Sequence, residues 1–146
     1  MNYFDDRYLH SIDQRGRLQL PKDVRTGERI KKGDSLYLFI NPNAPRALEV
    51  RTRAQWESYQ KQVEALPPGR SKREFYRLIR LSTVEVVADG QGRIVIPQSI
   101  REHCEFDREV VVVNMSTYVE VWNKGAVEQK QNDMLRAFNE INDQLF

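Results

Sequence analysis

Short stretches of this chain alternate apolar with polar residues, and others repeat apolar residues every three or four positions. "RYLHSI" (7–12) and "TVEVVA" (83–88) read as strands that each lead into an aspartate. "DQRG" (13–16) and "DGQG" (89–92) follow as tight turns, in which glycine takes a positive φ without strain. A second strand alternates after each turn. Leu18 and Leu20 point inward with Arg17 and Gln19 outward; Ile94 and Ile96 point inward with Arg93 and Val95 outward. Pro21 and Pro97 then open short helices anchored by Val24 and Ile100, because a missing N–H costs nothing at the first helical position. "LYLFI" (36–40), "LEV" (48–50), "VVVVN" (110–114) and "VEV" (119–121) supply the remaining strands.

The longer helices have explicit boundaries. Thr52 predicts an N-cap, with Gln55 three residues on completing a capping box. Trp56, Tyr59, Val63 and Leu66 follow at spacings of three and four, until "PPG" (67–69) ends the helix. A second helix is expected over 70–81. From Asn123 onward, Val127, Met134, Leu135, Phe138, Ile141 and Leu145 form one helical stripe. That stripe reads either as a face packed on the chain's own sheet or as a subunit contact.

The order of these elements repeats. Aligning Asp13 with Asp89 matches Gly16 with Gly92, Arg17 with Arg93, Pro21 with Pro97 and Arg25 with Arg101, and eight of thirteen positions agree in identity or type. A unit this small cannot bury its apolar face alone, whereas two can bury their faces on each other. The expectation is an α+β fold, with duplicated hairpin units forming one pseudo-twofold, β-barrel-like core in a single domain spanning 1–146. The first repeat covers 4–51, linking helices 52–81, the second repeat 82–123 and a C-terminal helix 124–146.

Composition narrows the function. The net charge of +2 is too small to name a partner, but the charge is unevenly spread. Residues 13–32 carry seven basic against three acidic groups, and residues 70–80 carry five against one, a local net of +4 in each case. The single cysteine, Cys104, suits a small buried side chain better than a reactive thiol. "MNYFDDRYLH" lacks the pattern of a secretory signal, and apolar runs such as "VVVV" (110–113) are far too short to span a membrane, so a cytoplasmic protein is expected. Two histidines, His10 and His103, stand in no catalytic spacing. "GQG" (90–92) lacks the rest of a phosphate-binding loop, and there is no metal-ligand cluster. Neither an enzyme nor a cofactor is expected.

What the apolar matches leave unexplained is the recurring outward arginine. Arg17 and Arg93 each follow a turn glycine. They read either as partners of Asp13 and Asp89 in exposed ion pairs worth about 0–1 kcal/mol, or as guanidinium groups offered to phosphates and guanine edges. Both can hold at once. Arg15 at the first tip and Gln91 at the second are both residue types that make paired hydrogen bonds to bases.

"SIDQRGRLQLPKDVR" and "VVADGQGRIVIPQSIR" resemble the paired Asp-x-x-Gly-Arg segments of the MraZ family, bacterial transcriptional regulators related to AbrB-type swapped-hairpin DNA-binding proteins. "QWE" (55–57), "RLIRLSTVEVVADGQGRIVIP" and "EVWNK" (120–124) extend the resemblance over nearly the whole chain. Asp6 and Leu81 stand where the family usually has glycine. The resemblance implies a nucleoid-associated repressor of the division and cell-wall gene cluster, its own promoter included. It also implies ring-shaped homo-oligomers on short direct repeats of double-stranded DNA, where avidity offsets a small footprint per subunit. Arg17 carries the strongest DNA-binding assignment, followed by Arg15, Gly16 and Arg93, with Gln91 also in the set; Lys22, Arg25 and Arg101 are weaker candidates for phosphate contacts. An antitoxin-like protein-interaction module of the same swapped-hairpin class is the alternative. RNA binding lacks an aromatic stacking set near either tip.

Overall fold

The computed structural model describes residues 4–21 and 30–146. A single 3-10 turn (Asp6–Tyr8) leads into β1 (Leu9–Ser11), β2 (Arg17–Gln19), β3 (Ser35–Ile40) and β4 (Ala47–Thr52). Helices α1 (Arg53–Glu64) and α2 (Arg70–Ser82) connect these to β5 (Val84–Val87), β6 (Arg93–Val95), α3 (Gln98–His103), β7 (Glu109–Asn114) and β8 (Val119–Asn123). The chain closes with α4 (Lys124–Gln129) and α5 (Gln131–Leu145).

The pairing exchanges strands between the two copies. Six strands form one sheet in the order β1-β7-β8-β4-β3-β5, and β2 pairs with β6 in a separate ribbon. The strands on either side of each aspartate turn therefore do not form an ordinary hairpin. A single bridge, Ile12 to Leu18, joins β1 to β2, while β1 pairs along its length with β7. Ile12 N–H donates to Arg108 O at 2.7 Å and Ile96 N–H to Gly16 O at 2.8 Å, so each copy completes the other's backbone hydrogen bonds.

The registers obey a pseudo-twofold axis. In the centre of the sheet Glu49 faces Glu120, with Leu48 opposite Val121 and Val50 opposite Val119. In the ribbon Leu18 faces Ile94, with Arg17 opposite Val95 and Gln19 opposite Arg93. At the edges, Leu9 on Val111 and His10 on Val110 match Glu85 on Tyr37 and Val86 on Leu36. The duplicated sequence folds as the two halves of one swapped unit. Among the described residues the order ends at β1 and β5, with no hydrogen-bonded closure into a barrel.

One apolar cluster joins both layers: Leu36, Leu38, Leu48, Val50, Val110, Val112, Val119 and Val121 from the sheet meet Leu18, Leu20, Ile94 and Ile96 around the ribbon. Leu18 and Ile94 are fully buried, which fixes the opposite face of the ribbon outward because strand side chains alternate. Pro97 stands as the N-cap of α3 rather than its first residue; its carbonyl accepts from Ile100 and Arg101. Val24, the matching anchor of the first copy, lies outside the described residues.

Thr52 caps α1 through the expected box: its Oγ1 accepts from Gln55 N–H, and Gln55 Oε1 accepts from Thr52 N–H. Trp56 stacks on Tyr37 at 5.3 Å between ring centroids, and Tyr59 meets Phe75 of α2 at 6.2 Å. The C-terminal segment departs from expectation. It breaks at Lys130 into two helices; Val127 of α4 is buried, but no residue of α5 is. The reading of a stripe packed on the chain's own sheet is therefore wrong for α5, where Phe138 is 64% and Leu145 71% exposed. Asp6 opens the 3-10 turn and Leu81 lies exposed near the end of α2, so neither position demands a glycine conformation here.

Candidate nucleic-acid interface

The β2–β6 ribbon sets four side chains on one outward face: Arg17 and Gln19 from one copy, Arg93 and Val95 from the other. Each arginine leaves a turn built the same way. Asp13 Oδ1 accepts from the N–H groups of Arg15 and Arg17, both at 2.9 Å, and Oδ2 accepts from Arg17 Nε at 2.6 Å. Asp89 repeats this with Gln91 (2.8 Å), Arg93 N–H (3.0 Å) and Arg93 Nε (2.8 Å). Gly16 and Gly92 close the turns at φ of +80° and +75°, where an L side chain is strained.

These hydrogen bonds, first those from the backbone N–H of Arg17 and of Arg93, hold the Asp13 and Asp89 carboxyls below their ordinary range. Both aspartates stay ionised at neutral pH and fix the base of each arginine side chain. The ion-pair reading of the recurring arginine thus holds geometrically. Among the described residues it engages Nε, and no hydrogen bond from either arginine's Nη groups is present.

The other candidates divide. Arg15 and Gln91 are exposed at the two tips, as their positions suggested. Gly16 is buried: its carbonyl accepts from Ile96 N–H, and Arg101 packs over it. Its part is to shape the turn. Arg101 is half-buried, with Nε donating to Ile96 O at 2.9 Å, so it has a structural part in this copy. Lys22 and Arg25 lie outside the described residues. Gln19, which the alternation marked only as an outward polar residue, ties the copies together: its Nε2 donates to Gln91 O at 2.8 Å. The end of β2 is thereby tied to the second tip.

Elsewhere, a buried charge cluster escaped sequence reasoning. Arg51 pairs with Glu49 at 2.9 Å while its guanidinium lies 4.2 Å from the Tyr59 ring and 4.8 Å from the Tyr118 ring. Asn41 donates to Glu49, and Trp122 Nε1 donates to Glu120 at 3.0 Å. These contacts hold two carboxylates side by side on the pseudo-twofold axis. The one trace in the sequence is a charged pair within the otherwise apolar "ALEVRT" strand. Cys104 is fully buried, and burial pushes its thiol up to about 12. Among the described residues, no group of His, Cys, Asp and Glu could hold a metal ion, and no helix is long and apolar enough to cross a membrane.

Comparison with known proteins places this architecture. Residues 79–144 match the family model described as "MraZ protein, putative antitoxin-like". The chain is 33% identical to the transcriptional regulator MraZ of Thermoanaerobacter pseudethanolicus over 140 residues, covering 95% of this chain and 94% of that one. It is 31% identical to the protein of the same name from Carboxydothermus hydrogenoformans, covering 94% and 93%. With the protein of that name from Dictyoglomus thermophilum the identity is 30%, covering 95% and 93%. On that similarity, which runs through both copies of the repeat, the chain belongs to the MraZ family of transcriptional regulators.

Proposed function

We propose that the chain is a sequence-specific DNA-binding regulator that reads double-stranded DNA with the outward face of the β2–β6 ribbon. The observation that carries the reading is the placement of Arg17 and Arg93 on one face of a two-stranded ribbon, with Arg15 and Gln91 at its tips. A two-stranded ribbon is of a size that enters the major groove. Arginine there makes bidentate bonds to guanine O6 and N7, and glutamine to adenine N6 and N7. The anchored aspartate turns favour this by holding each arginine before DNA arrives, which lowers the ordering cost of binding.

The two tips differ, Arg15 against Gln91, so the twofold ribbon reads its site asymmetrically. That suits direct repeats rather than palindromes, since a palindrome mirrors a true twofold axis. The proposal extends to repression of the division and cell-wall gene cluster from its own promoter, by a ring-shaped homo-oligomer whose ribbons engage successive repeats and which resides at the nucleoid. That these relatives are named transcriptional regulators supports regulation of transcription. The antitoxin-like alternative draws on the family description, and a toxin-like reading frame beside the gene would favour it.

A footprinting experiment on DNA from upstream of the gene tests the proposal. Protection of evenly spaced short repeats, absent on a scrambled duplex, is the expected result. Uniform or absent protection would leave the ribbon without a sequence to read.

A further inference from the structure

One side chain on the outward face of the ribbon is apolar. Arg17, Gln19 and Arg93 share that face with Val95, which is 49% exposed. Val95 holds in β6 the place that Gln19 holds in β2, two residues after the arginine. Gln19 uses its amide on the far tip, with Nε2 donating to Gln91 O at 2.8 Å. A valine has no donor for the matching bond to the first tip, so the two copies differ here in chemistry. The core does not account for it. Leu18 and Ile94 fill the inward face of the ribbon, and strand alternation turns Val95 away from them. Strand propensity favours valine, but it favours threonine too, which would have kept a hydroxyl on this face.

We infer that Val95 is a specificity residue that reads the methyl group of a thymine lying within one or two base pairs of the guanine read by Arg17. Base edges in the major groove offer one apolar group, the C5 methyl of thymine; the rest are hydrogen-bond donors and acceptors. Valine set against those polar edges would strip water from them and return no bond. Set against the methyl, it removes two apolar surfaces from water. Arg17 fixes where the thymine lies, because it stands directly across the ladder from Val95. Such neighbours have Cβ atoms about 4.5–5.5 Å apart, against a spacing of about 3.4 Å between successive base pairs. The inference rests on the ribbon reading DNA as proposed above and adds an apolar contact to it. It also gives the ribbon ends different tasks. Arg17 and Val95 read a guanine and a thymine together, whereas Arg93 at the other end stands opposite a glutamine already bonded to the protein.

Uracil substitution tests it, because deoxyuridine differs from thymidine only in lacking that methyl. Duplexes from upstream of the gene would carry uracil at one thymine position of the repeat at a time. Binding by the full-length wild type, Val95→Ser and Val95→Gln would be followed by fluorescence anisotropy, with a scrambled duplex as control. Glutamine occupies the matching place in β2, so Val95→Gln serves if Val95→Ser melts early. At one thymine position the wild type should weaken about fourfold per substituted repeat, the worth of one methyl group returned to water. Both variants should bind the thymine and uracil duplexes alike at that position. A wild type that prefers upstream DNA to the scrambled duplex yet tolerates uracil everywhere would overturn the inference and leave the ribbon's reading of DNA standing. Folded variants that weaken as much as the wild type at the same position would also overturn it, since the methyl would then be sensed by another group. No preference for upstream DNA at all would remove both.

Discussion

Gly16 closes its turn against the second copy of the repeat, so replacing it with alanine should be costly. Its φ is +80°, and alanine incurs about 1–2 kcal/mol there from the left-handed backbone alone. The surroundings add to this. A Cβ at Gly16 would lie 2.9 Å from both Cζ and Nε of Arg101 and 3.0 Å from Ile96 O. Arg101 cannot simply swing away, because its Nε donates to that same carbonyl. The carbonyl cannot retreat easily either, since Ile96 N–H is hydrogen-bonded to Gly16 O. Overpacking at such a site adds about 1–3 kcal/mol. Gly16→Ala should therefore destabilise by about 2–5 kcal/mol. Urea denaturation followed by the fluorescence of Trp56 and Trp122 measures this, with an unchanged m-value showing that the midpoint reports stability. A loss no larger than the backbone contribution of about 1–2 kcal/mol would refute the view that Gly16 seats one copy against the other.

Other consequences follow from the charged and buried groups. The Asp13 and Asp89 carboxyls have folded-state pKa values below their unfolded ones, so the stability they contribute is present above the unfolded value and is lost as pH falls through the folded one. The denaturation midpoint should drop below about pH 4, and the Asp13→Asn/Asp89→Asn double variant should show a smaller drop over the same range. Arg51→Ala leaves Glu49 and Glu120 adjacent and unneutralised and removes a cation held between two tyrosine rings; chemical denaturation should show a loss of about 3–5 kcal/mol. Cys104, with its thiol pushed up to about 12, should ignore a thiol-specific reagent at neutral pH until the protein unfolds, so modification should track unfolding in denaturant.

Much of this architecture was legible because local rules and the global fold agree. The Thr52–Gln55 box, the proline stop after α1 and the alternation of Leu18 and Leu20 each describe a few consecutive residues, and all appear where expected. Strand exchange was not legible from alternation. A period of two tells which side chains of β1 and β2 are buried, not whether the partner strand belongs to the same copy. The duplication and the resemblance to swapped-hairpin proteins hinted at it. The same limit applies to the site. Outward placement of Arg17 and Arg93 follows from the pattern, but their arrival on one ribbon face depends on the β2–β6 pairing. Arg101 shows the converse, a recurring arginine that turned out to cover Gly16. The break at Lys130 carries no proline or glycine to announce it, so the apolar stripe looked continuous although only Val127 reaches the core.

The most direct test of the ribbon as a DNA reader is a salt titration of binding to the upstream duplex by the wild type, Arg17→Ala and Arg93→Ala, each first shown to melt as the wild type does. The wild type should prefer this duplex to a scrambled one and weaken as salt rises, in line with counterion release. Arg17→Ala should lose that preference, a base contact being worth about 1–3 kcal/mol. Arg93→Ala should lose less, because its tip carries Gln91 where the other carries Arg15. Folded Arg17→Ala protein that binds and discriminates like the wild type would contradict the account and leave the arginines as clasps of their own turns.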